Sequence, residues 1–161
     1  MNGNKIMDKI ESFKVNHLKL KSGLYVSRKD NNNGVTVTTF DMRFTAPNVE
    51  PCMKSSAIHT IEHLGATYFR NSNIKENIVY FGPMGCKTGF YLLIFGDLAS
   101  ESIYDEVINM CNFILNYSGD IPGATPIECG NYSLQDLSLG KTYVRKYKED
   151  LENYKRFIYL D

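Results

Sequence analysis

Val35-Thr-Val-Thr-Thr-Phe-Asp-Met-Arg-Phe44 decides the class of fold, because it is the clearest β-strand in the chain. It is rich in Val, Thr and Phe, the residues that suit a pleated, half-buried surface. Side chains alternate between the two faces of a strand. Phe40, Met42 and Phe44 therefore share one face with Thr36 and Thr38, and Val35, Val37, Asp41 and Arg43 share the other. A charged pair in a strand face points to solvent, an interface or a polar pocket, and an exposed salt bridge is an equally good reading.

Lys29-Asp-Asn-Asn-Asn-Gly34, just before this strand, is a turn ending in an Asn-Gly pair. Gly23 to Ser27 is a shorter strand candidate. Ile10 to Leu20 alternates imperfectly and is read as a further strand, while residues 1 to 8 read as a loose start. Beyond the strand, a loop from Ala46 to Pro51 leads into a helix over about Ser56 to Arg70, with Ser55 or Ser56 as its cap. Ile58, Ile61, Leu64 and Tyr68 recur there at helical spacing. Ile78 to Phe81 and Phe90 to Phe95 are strand-length apolar runs. They flank the glycine-punctuated Gly82-Pro-Met-Gly-Cys-Lys-Thr-Gly89 and suit a hairpin or one sheet. A second helix, capped by Ser100 or Ser102, carries the stripe Ile103, Val107, Met110, Cys111 and Ile114 and ends near Tyr117 to Gly119. Asp120 to Gly130 is a Pro- and Gly-rich loop. A third helix runs from about Asp136, with Leu139, Tyr143, Tyr147, Leu151 and Tyr154 on one side. Strands and helices without regular alternation imply an α+β fold, a mainly antiparallel sheet with helices on one face.

The 161 residues fit one domain, 1–161. Lys plus Arg number 18, as do Asp plus Glu, so no net charge draws the chain toward nucleic acid or an anionic membrane. No apolar run reaches the length of a membrane span, and the first residues lack the apolar stretch of a signal peptide. The cytosol is then the expected compartment, and the four cysteines are expected as thiols. Cys111, among apolar neighbours, reads as a small core residue.

The chemistry gathers at His59-Thr-Ile-Glu-His63. Residues at i, i+3 and i+4 share a helix face, so His59 and His63 can meet one metal ion with Glu62 beside it. A catalytic metal site needs three protein ligands and an open position. For the third, His17, Cys129, Cys86 and any carboxylate are candidates. Gly130 would let the backbone turn close to an ion after Cys129, and the lysine beside Cys86 would favour a reactive thiolate.

The set His59-Thr-Ile-Glu-His-Leu64, Gly82-Pro-Met-Gly-Cys-Lys-Thr-Gly-Phe-Tyr91 and Glu128-Cys-Gly130 resembles the LuxS family of S-ribosylhomocysteine lyases. Glu11-Ser-Phe13 with His17, and Phe40-Asp-Met-Arg-Phe44 with Pro47-Asn48, match in the same order. The resemblance implies His59, His63 and Cys129 as metal ligands, Cys86 and Glu62 as acid/base groups, and Ser12, His17, Arg43 and Arg70 as substrate contacts. It also implies iron(II), replaceable by zinc or cobalt, and a homodimer with active sites at the interface. The implied reaction cleaves the thioether of S-ribosylhomocysteine. It gives homocysteine and 4,5-dihydroxy-2,3-pentanedione, the precursor of autoinducer-2. The chain departs from the pattern at Asn16, where Asp is frequent, and at Tyr80-Phe-Gly82 before Pro83. Two other readings of the helix motif are a metallopeptidase, with Glu62 activating a zinc-bound water, and a non-catalytic protein whose structural metal is closed by four ligands.

Overall fold

The computed structural model describes residues 7–160. Of the expected loose start, residues 1–6 lie outside the described residues, and Met7 and Asp8 are exposed and carry no regular structure. The elements in order are β1 (Gly23–Asn32), β2 (Val35–Arg43), α1 (Ser55–Asn71), β3 (Ile78–Pro83), β4 (Gly89–Phe95), α2 (Ser100–Asn116) and α3 (Leu137–Tyr154). The strands form one antiparallel sheet in the order β1-β2-β4-β3.

The Asn-Gly signal is the β1–β2 turn: Asn33 and Gly34 both take positive φ, 51° and 80°. That is the conformation a two-residue hairpin demands. β1 thus extends through the polar run 29–32, which the sequence reads as turn, and a bulge between Val26 and Arg28 adjusts its register. β3 and β4 pair as the hairpin expected across the glycine turn. At Gly89 an added Cβ would lie 2.3 Å from the Met42 carbonyl oxygen, so only glycine lets β4 approach β2 there.

All three helices contribute to one core on a single face of the sheet. Leu24, Phe40, Met42, Phe44, Phe90, Leu92 and Ile94 meet Ile58, Ile61 and Leu64 of α1, the expected stripe of α2, and Val144, Tyr147 and Leu151 of α3. Cys111 is fully buried, as read. In α3 the buried face is rotated from the expected one. Gly140, Val144, Tyr147 and Leu151 point inward, and Tyr154 is exposed.

Three local expectations are overturned. Residues 10–20 form no strand; a 3-10 turn at Glu11–Phe13 is followed by further turns. Asn16 Oδ1 accepts from the Leu18 amide (3.1 Å), a local bond that competes with a ladder. Neither Ser55 nor Ser56 caps α1. Its first position is preceded by Lys54, and Ser55 Oγ accepts from Lys87 Nζ (2.9 Å) instead. Nor does Ser100 or Ser102 cap α2 by accepting a backbone N–H: Ser102 Oγ donates to the Ala99 carbonyl. Asp136 does cap α3, accepting from the Leu139 amide at 2.9 Å.

The opposite face of the sheet carries Asp41 and Arg43. They form the expected pair, but it is buried, not exposed: their side chains are 2% and 3% accessible. No described helix is long and apolar enough to cross a membrane.

Candidate metal centre

His59 and His63 lie one turn apart on α1, and the loop between α2 and α3 returns Cys129 to them. Cys129 is carried in a turn whose amide donates to the Thr125 carbonyl (3.0 Å). The ligand atoms of the three residues all lie within 4.8 Å of one another. His59 Nε2 and His63 Nε2 are 2.9 Å apart, and Cys129 Sγ is 3.4 Å from His59 Nε2.

The far side of each ring explains why these nitrogens converge. His63 Nδ1 lies 2.6 Å from the Pro122 carbonyl, and His59 Nδ1 lies 2.9 Å from the Leu134 carbonyl. A carbonyl only accepts, so each Nδ1 carries the proton and each Nε2 presents a lone pair. The Gln135 amide nitrogen makes a longer contact, 3.2 Å, with His59 Nδ1. Two lone pairs and a sulfur facing one point are a donor set for a borderline divalent cation. The carbonyls that fix the imidazoles are the outer support such a site requires.

Glu62 lines a cavity of about 360 Å³ together with His59, Met84, Gly85, Lys87 and Leu134. The glycine turn between β3 and β4 therefore forms one wall of the pocket beside the candidate ligands. Cys86 is not among the residues lining that cavity. Its sulfur lies 3.0 Å from Thr88 Oγ1 and 3.8 Å from Arg43 Nη1. The cation placed against the thiol is thus Arg43. The adjacent Lys87, which the sequence singled out, reaches Ser55 instead. Burial opposes the charge on Arg43, yet the Asp41 carboxylate outweighs it and holds the guanidinium above its ordinary pKa.

The remaining sequence candidates lie apart from this group within one chain. Ser12 lines a separate cavity of about 270 Å³ with Ser27, Thr39, Tyr80 and Tyr91, on the sheet face away from the helices. His17 Nδ1 contacts the Val15 carbonyl (2.8 Å). Arg70 sits about three turns, roughly 16 Å, beyond His59 along α1. Its guanidinium donates to the carbonyls of Ile78 and Val79 at 2.8 and 3.0 Å. Gly130 does not meet the expectation placed on it: its φ is not positive and a Cβ there would touch nothing. Asn16 Oδ1 accepts from the Leu18 amide, a bond that Asp would supply equally. Pro122 and Leu134 carry no signal in the sequence. Both act through carbonyls, which no side-chain pattern marks.

Fold and donors together define an α+β protein with a three-residue candidate metal centre on one helix and one loop. A family profile described as S-Ribosylhomocysteinase (LuxS) matches residues 10–157. Similar proteins named S-ribosylhomocysteine lyase include one from Finegoldia magna, 53% identical over 93% of this chain and 96% of its own length. Another, from Borreliella burgdorferi, is 52% identical over 92% and 96%. A third, from Clostridium acetobutylicum, is 49% identical over 91% and 94%. The chain belongs to the LuxS family.

Proposed function

We propose that this chain is a metal-dependent lyase that cleaves the thioether of S-ribosylhomocysteine to homocysteine and 4,5-dihydroxy-2,3-pentanedione. The observation that carries the reading is the convergence of His59, His63 and Cys129 beside the cavity lined by Glu62. Family membership and the names of the relatives support the substrate.

The thioether is not activated in the starting aldose. The carbonyl first moves from C1 to C2 and then to C3, and homocysteine leaves by β-elimination. Each move takes a proton from a carbon beside a carbonyl and delivers one to its neighbour. His59, His63 and Cys129 would hold iron(II), with zinc or cobalt able to replace it; such an ion supplies Lewis acidity at the sugar oxygens. Cys86 Sγ would carry protons between C1 and C2. Glu62 would serve the later transfers and the oxygens. Arg43, Ser12, His17 and Arg70 would contact the substrate. The separation of Ser12, His17 and Arg70 from the ligands within one chain supports a homodimer whose active sites draw on both subunits. One catalytic domain working in the cytosol completes the reading, with autoinducer-2 precursor as a product.

The test is release of free thiol from S-ribosylhomocysteine by anaerobically purified protein. Wild type should release it, and Cys86→Ala should bind metal normally yet release none. Cys129→Ala should lose the metal by elemental analysis. Full metal occupancy in Cys129→Ala, or no thiol from reduced and metal-loaded wild type, would overturn the assignment.

A further inference from the structure

We propose that Tyr159 is a positioning residue for Cys86, acting through Asp41 and Arg43. This rests on the reading of Cys86 as an acid/base group. Tyr159 lies beyond the segment matched by the family profile, which ends at residue 157.

The path is continuous. The Tyr159 hydroxyl donates to Asp41 Oδ2 at 2.8 Å. The Asp41 carboxylate accepts from Arg43 Nε (3.0 Å) and Nη2 (2.6 Å), a two-point clamp that leaves the guanidinium one orientation. The remaining arm, Nη1, donates to Thr88 Oγ1 at 2.7 Å and lies 3.8 Å from Cys86 Sγ. Both charges are buried, so the pair has no water to share its bonds, and Asp41 takes a third bond from the tail.

The tail is built to reach this point. α3 stops where Lys155 takes a left-handed conformation, φ 44°. The chain then turns back over β1: the Arg156 carbonyl accepts from the Leu24 amide (3.0 Å), and Arg156 Nη1 donates to the Ser22 carbonyl (3.1 Å). The Tyr159 ring stacks on Tyr25 at 4.6 Å and 19°. Tyr25, Tyr91, Tyr147 and Tyr159 are the phenols that feel the ion pair, with Arg28 and Arg156 further out. Tyr159 is held well above the ordinary tyrosine pKa by burial and then by the Asp41 charge, so its hydroxyl stays a donor at neutral pH.

Tyr159→Phe keeps the ring stack and removes the hydroxyl's bond to Asp41, together with its contact with Ser27. The deciding readout is the pH dependence of Cys86 alkylation by iodoacetamide, followed on the Cys86 peptide by mass spectrometry. The exposed Cys52 serves as the internal reference. We expect the Cys86 profile to move while that of Cys52 stays, and thiol release to fall up to about tenfold in kcat with KM changed less. A chain ending at Ile158 should match the point variant, and circular dichroism confirms that both fold. A Cys86 profile that superimposes on wild type overturns the proposal, whatever turnover does. Wild type that releases no thiol sinks the lyase reading instead, and the alkylation profile still decides the positioning role.

Discussion

Cys111 is a small core residue whose environment leaves a measurable mark. Complete burial pushes its thiol up to about 12 from an ordinary 9.0. Below pH 9 both folded and unfolded chains hold the proton, and its contribution is intact. Between pH 9 and 12 only the unfolded chain loses it, so stability falls by about 1.4 kcal/mol per pH unit for this group. Cys111→Ala should start less stable, through the lost sulfur volume, yet decline less between pH 9 and 10 by urea unfolding. Parallel declines would place the alkaline loss elsewhere. Cys111 was legible in the sequence because its neighbours alternate with helical period. Asp41 and Arg43 were half legible. Their pairing follows from a shared strand face, but their burial depends on Tyr25, Tyr91 and Tyr159, which arrive from distant segments. Gly130 shows the converse, a glycine given a role that its backbone does not need.

The helix α1 holds two ligands and a carboxylate, and its seating on β3 depends on Gly65. A Cβ at that position would lie 2.4 Å from Phe81 Cε1. Phe81 cannot yield easily, since it is stacked on Phe90 (5.1 Å) and packed on Phe69 (5.3 Å). Alanine improves intrinsic helix propensity by about 1 kcal/mol. Overpacking a core contact of this kind costs about 1–3 kcal/mol. We expect Gly65→Ala to be net destabilising by roughly 1 kcal/mol and to weaken metal retention as the helix shifts; a rise in Tm would show that β3 gives way. At this scale the sequence located the three α-helices and all four strands. It failed at residues 10–20, where side-chain acceptors turn the chain before any partner strand is met. It also shortened β1, whose outer half is polar because that half is exposed.

For the whole molecule, the separation of Arg70 from His59 within one chain has a direct test in a mixed dimer. If each active site takes its ligands from one subunit and Arg70 from the other, Cys129→Ala and Arg70→Ala chains complement each other. Random exchange should restore roughly a quarter of wild-type thiol release, one intact site in half of the dimers. No recovery despite proven subunit exchange would place Arg70 and the ligands in the same site of one subunit, or leave Arg70 without a role. Nothing in a single sequence reports such sharing, because spacing along a chain does not reveal which copy meets which.

The stretch 117–136 joins α2 to α3 with neither helix nor strand; Tyr117 and Ile121 hold its start against the core, Gln135 and Asp136 bond Thr60 at its end, and between them Pro122, Cys129 and Leu134 meet the two histidines. A bound ion would therefore act as a staple on the middle of that span, between its two anchored ends, setting how often that part opens. The span contains no lysine or arginine, but Glu128 directly precedes Cys129. A glutamate-specific protease should leave the Glu128–Cys129 bond uncut in metal-loaded protein and cleave it promptly after chelation. Equal cleavage rates would mean that the span stays closed without an ion.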